Sequence, residues 1–294
     1  MNRKQFLGIL GLAPLFYAMK NLNQLYNYKD QLPNTEKMPV LFLGHGSPMN
    51  AIEENEFVAG FRTIAKTIPT PTAILCISAH WYTKGTYVTS GEMQKTIHDF
   101  YGFPQELFEV EYPAKGNPEL TKETAELLAP TSVIETDSWG LDHGAWSVIK
   151  HLYPAANIPV IQMSIDYTQP AQYHFDLAKK LQKLREKGIL IIGSGNVVHN
   201  LRMIDWKNIN TVGAGWDWAI EARAKTNEWI LDGNFQNLIH FEKQGTALQN
   251  AIPTPDHYLP LIYTLGLKEK NDNISLFNDE IIGGSLSMTS VLIN

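Results

Sequence analysis

Hydrophobic residues along the chain fall into two kinds of pattern. The first is the short, unbroken apolar run: Val40-Leu41-Phe42-Leu43, stopped by Gly44, then residues 73–78, 159–165 and 189–192. Runs of this length, bounded by Gly, Pro or polar clusters, predict strands buried on both faces. The second is a three-to-four-residue spacing. It predicts helices over residues 54–68, with Phe57, Phe61 and Ile64 on one face, and over 145–152, 169–187, 216–231 and 235–244. Asn117-Pro118 sets a capping side chain before a proline at the first helical position, opening a helix that runs to about Leu128. Gly188 closes the 169–187 segment, and Pro154 follows the end of 145–152. Shorter extended segments are expected at 87–89, 132–135 and 285–292.

Strands alternating with helical segments indicate an α/β fold, a central sheet whose faces are covered by helices. No internal repeat and no compositional shift follows residue 38, so one domain over residues 38–294 is expected. In open α/β sheets, ligand sites gather at the carboxyl ends of the strands.

Residues 1–37 read as a separate N-terminal extension. Arg3 and Lys4 precede an apolar run over 6–19, too short to span a bilayer. A charged start and a short apolar stretch suit a secretory signal. Arg3-Lys4-Gln5-Phe6-Leu7 also resembles a twin-arginine signal with Lys at the second position. A loosely packed extension is the other reading, and the polar stretch 21–37 reads as a linker.

Composition removes several classes of function. With 294 residues, 44% of them hydrophobic, the chain buries enough surface to fold without a covalent staple. A net charge of -6 argues against non-specific nucleic-acid binding. The single cysteine, Cys76, excludes an internal disulfide and any cysteine-rich metal cage.

Candidate chemistry therefore rests on the nine histidines. His45 and His80 each directly follow a predicted buried strand. His199 follows a third strand and the turn Gly193-Ser194-Gly195. His143 and His257 occupy Gly- or Pro-flanked loops. Three imidazoles delivered to the carboxyl ends of three strands can converge on one point. Neutral imidazole is a common ligand for zinc and iron and titrates near physiological pH. His151, His174 and His240 fall in helical stretches and read as surface or packing residues. His98 either lines the pocket or bonds to Asp99. Gly193-Ser194-Gly195 lacks the spacing of a phosphate loop and reads as a tight passage for the chain. Ser47 lacks the Gly-x-Ser-x-Gly context of a nucleophile. Cys76 lies in an apolar strand and reads as core. Trp81, Trp146 and Tyr258 adjoin the histidine motifs and either wall a planar substrate or pack the core.

At five motifs the sequence resembles the class III extradiol ring-cleavage dioxygenases, in their DOPA 4,5-dioxygenase branch. The motifs are Gly44-His45-Gly46-Ser47-Pro48-Met49, Ser78-Ala79-His80-Trp81, Gly140-Leu141-Asp142-His143-Gly144, Gly193-Ser194-Gly195-Asn196-Val197-Val198-His199-Asn200 and Pro253-Thr254-Pro255-Asp256-His257-Tyr258. They occur in family order from about Met38 onward. The resemblance implies a single α/β domain with a mixed sheet, a cytoplasmic location, and a mononuclear metal held by His45, His80 and His257. It implies that His199 is either a fourth ligand or the acid/base, and that His143 contacts substrate or oxygen. The implied reaction opens a catechol ring with dioxygen and non-haem iron(II). Three protein ligands leave positions for both catechol oxygens and for dioxygen.

The residues themselves leave the metal open. The common oxygenase triad has two His and one carboxylate, whereas three imidazoles also describe a zinc site. Two alternatives follow: a zinc hydrolase on the same scaffold, and a non-enzymatic binding protein.

Overall fold

The computed structural model describes residues 37–209 and 211–294. Val40 and Phe42 point to one side of the central sheet, Leu41 and Leu43 to the other, and all four are fully buried. Successive strand side chains alternate between faces. An apolar residue at every position therefore requires cover on both faces, as the unbroken runs predicted.

The sheet has eight strands. In chain order the strands are β1 (Val40–Gly44), β2 (Ala73–Thr83), β3 (Thr86–Thr89), β4 (Val133–Thr136), β5 (Val160–Asp166), β6 (Ile189–Gly195), β7 (Ile274–Phe277), β8 (Ile281–Ile282), β9 (Leu286–Ser287) and β10 (Ser290–Ile293). The large sheet runs β4-β3-β5-β2-β6-β1-β10-β7, and β8 pairs with β9 apart from it. The central four strands, β5-β2-β6-β1, are parallel, while β3 is antiparallel to β5 and β10 to β1. The sheet is mixed.

Six longer helices flank it: α1 (Glu56–Thr67), α2 (Pro118–Leu128), α3 (His143–Leu152), α4 (Ala171–Lys179), α5 (Asp217–Leu231) and α6 (Leu259–Gly266). Phe57 and Phe61 of α1 and Trp146 and Ile149 of α3 pack with Leu41, Leu43, Ile74 and Cys76. On the other face, Leu177 of α4, Ile230 of α5 and Leu261 of α6 pack with Phe42, Leu75 and Ile191. Asn117 caps α2 as expected, its side chain accepting from Leu120 N at 3.0 Å.

Several elements differ from expectation. The expected helix over 169–187 breaks after Lys179. Lys180 and Leu181 bond back three residues instead of four, which brings both Leu181 and Leu184 into the core before a second short helix, Gln182–Arg185. The helix over 235–244 ends at Ile239 and continues as a 3-10 turn. The strand over 285–292 is two short strands. Between them the Ser287 hydroxyl accepts from Thr289 N, which turns the chain. Helix α6 escapes the periodicity because every residue in it is buried, so it has no polar face to set a period. Most of the N-terminal extension expected over 1–37 lies outside the described residues. Lys37 is described, and its ammonium pairs with Asp272 at 2.5 Å. Asp272 also pairs with the fully buried Arg185 at 2.6 Å, joining the domain's first residues to its interior.

Among the described residues no helix is long and apolar enough to cross a membrane.

Candidate active site

The carboxyl ends of the parallel strands β1, β2 and β6 carry the first histidines. Gly44 ends β1 opposite Gly195, the last residue of β6, and His45 N donates to Gly195 O at 3.1 Å. His80 does not follow its strand as the sequence suggested. It lies inside β2, where the pairing with β5 shifts register between Ile77 and Tyr82. Such irregularities re-aim side chains. His257 arrives from the turn before α6, and its carbonyl accepts from Asn196 N at 2.9 Å. That approach requires Gly195, since a Cβ there would overlap His257 O. Gly193 likewise admits α6, whose Pro260 carbonyl and Thr264 hydroxyl lie where a side chain would go. The Gly-Ser-Gly segment is thus the end of a strand against which a helix and a loop pack closely.

Three rings meet here. The centroids of His45 and His80 are 5.1 Å apart, of His45 and His257 5.3 Å, and of His80 and His257 4.9 Å. One nitrogen from each lies within 4.8 Å of the other two. His45 Nε2 and His80 Nε2 are 3.3 Å apart. Two nitrogens bound to one ion at about 2.1 Å, at angles between octahedral and tetrahedral, would be separated by about 3.0–3.4 Å.

The other nitrogen of each ring is held from behind. His45 Nδ1 lies 3.0 Å from Ser194 Oγ, whose own proton goes to the Gly144 carbonyl. His257 Nδ1 bonds to the carboxylate of Asp256. His80 Nδ1 faces Asp99 Oδ2 at 3.3 Å. Ser194 Oγ must accept and carboxylates can only accept, so the Nδ1 of His45 and of His257 carries the proton and the Nε2 of each is left as a lone pair; the contact of His80 Nδ1 with Asp99 favours the same tautomer. A metal-binding imidazole needs this arrangement. The donor set suits a transition-metal ion.

His143 is the first residue of α3 rather than a loop residue, with Asp142 as the helix cap accepting from Ala145 N. Its ring centroid lies 3.8 Å from that of His80, and its Nδ1 is 3.0 Å from Asp99 Oδ1. His199 lies in the loop after β6, with its backbone N–H donating to Ala251 O at 2.9 Å. Its ring stacks on His257.

Burial sets the electrostatics. It lowers the pKa of His45 well below 6.5, and the neighbouring histidines lower it further; His80 behaves likewise. His199 is pushed down to about 3, first by burial and then by His257. Burial alone would raise the Asp256 carboxyl, but its bond from His257 outweighs this and holds it below the ordinary carboxylate range. Asp142, fully buried, is raised to about 6 by burial and by the charge of Asp99, against the hydrogen bonds from Ser78 and Gln162.

The remaining candidates go elsewhere. His98 Nε2 bonds to Val110 O at 2.9 Å, and Asp99 turns to His80 and His143 instead. His151 bonds to Asn50 O, His174 is buried against the Tyr263 hydroxyl, and His240 is exposed. Ser47 caps the 3-10 turn Pro48–Ala51, and Cys76 is core. Trp146 and Tyr258 are core residues whose polar atoms bond to Ile97 O and Leu238 O. Trp81 stacks on Trp139, 5.7 Å between centroids.

Sequence reasoning passed over the groups behind the rings. Adjacent side chains usually diverge, but the Asp256 carboxylate grips the ring of its neighbour His257. Asp99 figured only as a partner for His98. Ser194 figured only as part of a turn. Motif context carried a signal for Asp256, beside His257, and for Ser194, before His199, but none for Asp99.

Comparison with known proteins decides the family. The catalytic LigB subunit of aromatic ring-opening dioxygenase matches residues 39–286. The chain belongs to the class III extradiol dioxygenases. It is 44% identical over 268 residues to the 4,5-DOPA dioxygenase extradiol of Escherichia coli K12, covering 90% of this chain and 98% of that one. It is 33% identical to the 4,5-DOPA dioxygenase extradiol of Beta vulgaris, covering 85% of this chain and 94% of that one. A crystal structure of an uncharacterized protein from Escherichia coli K12 superimposes with a TM-score of 0.74 at 39% identity, covering 87% of this chain and 100% of that one. This extradiol dioxygenase is thus a ring-cleaving enzyme on the α/β scaffold the motifs implied.

Proposed function

We propose that this extradiol dioxygenase is iron(II)-dependent and opens the ring of a DOPA-like catechol with dioxygen. His45, His80 and His257 hold the ion, and His199 is the acid/base. The observation that carries this reading is the trio of imidazoles, each with Nδ1 against an acceptor and with the Nε2 of His45 and His80 turned to one another. The two relatives named as 4,5-DOPA dioxygenases support the substrate class.

When bound, iron(II) supplies positions for both catechol oxygens and for dioxygen, and acidifies the bound phenol. The protein supplies the rest. His199, neutral because it is buried, can accept the proton of a catechol hydroxyl and return it to a substrate oxygen as the ring opens, with both atoms of dioxygen retained in the product. His143, beside Asp99, assists at the oxygen or at the substrate anion. Ser194, Asp99 and Asp256 hold the ligand rings in orientation. The site is built from neutral imidazoles, so the ion keeps its full positive charge, which favours an anionic catecholate.

The test is reconstitution of metal-free protein, anaerobically, with iron(II) or zinc(II), followed by oxygen uptake with DOPA and a panel of catechols. The iron form should consume oxygen and give a yellow ring-opened product; the zinc form should not. Ester or amide hydrolysis by the zinc form, with no oxygen uptake by the iron form, would replace this reading with the hydrolase.

A further inference from the structure

Asp99 touches two of the site's imidazoles at once. Its Oδ2 lies 3.3 Å from His80 Nδ1, and its Oδ1 lies 3.0 Å from His143 Nδ1 and 2.9 Å from the backbone N–H of His143. The carboxylate is mostly buried, and the loop that carries it is held firmly. Ile97 N and Leu141 N bond to Leu141 O and Lys95 O at 2.8 Å each. Trp146 Nε1 donates to Ile97 O, and His98 bonds to Val110 O, both at 2.9 Å. Phe100, the next residue, packs its ring edge-on to His143 at 5.6 Å. Residues on both sides of Asp99 are thus fixed to separate parts of the domain.

We infer that Asp99 is a positioning residue that sets the tautomers of His80 and His143 together, so that one carboxylate orients both a metal ligand and the substrate-side imidazole beside it. The inference rests on the ligand assignment proposed above. An ionised carboxylate has no proton to give and repels a lone pair, so contacts this close favour Nδ1–H in both rings, while the aligned hydrogen bond to Asp99 comes from the His143 backbone N–H. Both rings then hold Nδ1–H, and the Nε2 of both is the basic nitrogen. For His80 that is the nitrogen 3.3 Å from His45 Nε2. For His143 it is the atom able to accept a proton. Partners of this kind behind ligand imidazoles commonly matter 10- to 100-fold in metal affinity.

His80, Asp99 and His143 also place their donor atoms close enough to hold an ion themselves. In that arrangement Asp99 would be a ligand, His80 would bridge two ions, and His80 Nδ1 would carry no proton. The two possibilities differ in stoichiometry.

The experiment titrates zinc(II) alone, against a competing chelator, into metal-free full-length wild type, D99N and H45A. Wild type should bind one ion per chain. D99N should bind roughly 10- to 100-fold more weakly, because an amide offers one acceptor atom where two imidazole N–H groups need one each. In the iron form kcat should fall further than KM rises. Equal zinc affinity in D99N and wild type would overturn the inference, and so would two ions per chain in wild type with one in D99N. If H45A binds as tightly as wild type, the ligand assignment itself falls and the inference with it. Nitrogen-15 spectra of histidine-labelled wild type keep the matter decidable should D99N not fold. His80 and His143 should both appear as Nδ1–H tautomers, and Nε2–H in either would overturn the inference.

Discussion

The ring of His199 lies flat on that of His257, with centroids 3.6 Å apart and planes within 6° of parallel. The lone pairs of an imidazole lie in its plane. An ion in the plane of His257 is therefore displaced from the plane of His199, away from that ring's lone pairs. With His257 a ligand as proposed, the stack would keep His199 from sharing the ion and leave it to proton transfer.

Replacing His199 with Ala should accordingly leave metal content within a few-fold of wild type while lowering kcat by about a hundred- to ten-thousand-fold, the usual span for a lost general acid/base. Metal analysis of the purified variant beside steady-state oxygen uptake checks both halves. Loss of the metal would make His199 a ligand.

Asp256→Asn should weaken metal binding by about 10- to 100-fold. The Asp256 carboxylate bonds to His257 Nδ1. An amide there can present its NH2 to that nitrogen, which favours the tautomer whose Nε2 bears the proton and has no lone pair for a metal. Chelator competition reads the change directly.

Gly195→Ala should displace the His257 loop, because the new methyl group overlaps His257 O. Overpacking of this kind costs about 1–3 kcal/mol. A lowered thermal midpoint together with reduced metal affinity is the expected result, and full metal affinity would show that the close approach is dispensable.

Acid should destabilise the fold through His174, which is buried in α4 against Tyr263. Burial lowers its pKa from 6.5 to about 4. Between those values the unfolded chain binds a proton that the folded chain does not. The stability linked to His174 is thus complete above about pH 6.5, declines as pH falls, and is lost by about pH 4, a difference of about 3 kcal/mol. Denaturant unfolding of wild type and His174→Gln across this range should give a shallower slope for the variant, since the other histidines are common to both.

His240→Ala should leave turnover within a few-fold, because the residue is exposed and apart from the site. A total loss, measured by oxygen uptake, would mean that position along a helical stretch misjudges a histidine's role.

Much of the architecture was legible because it depends on local pattern. The Val40 to Leu43 run had to be a strand covered on both faces, and Asn117-Pro118 had to start a helix. The break after Lys179 and the division of the last strand at Met288 were not legible, since both answer to what the segment packs against. Helix α6 was invisible to periodicity for the opposite reason: it is buried all round.

The sequence by itself determined the α/β class, the buried strands and the separation of His45, His80, His143, His199 and His257 from His151, His174 and His240, though not the elements that carry His80 and His143. These are properties of residue type and spacing, which act over a few positions. Tertiary structure alone decided that Asp99 spans His80 and His143, that Asp256 turns back on His257, and that His199 stacks instead of pointing beside its neighbour. Those relations depend on where a bulge, a helix start and a loop meet across the sheet. Asp99 stands 19 residues from His80 and 44 from His143, and His199 stands 58 from His257, and side-chain direction at such a meeting is set by packing between segments that no local pattern relates.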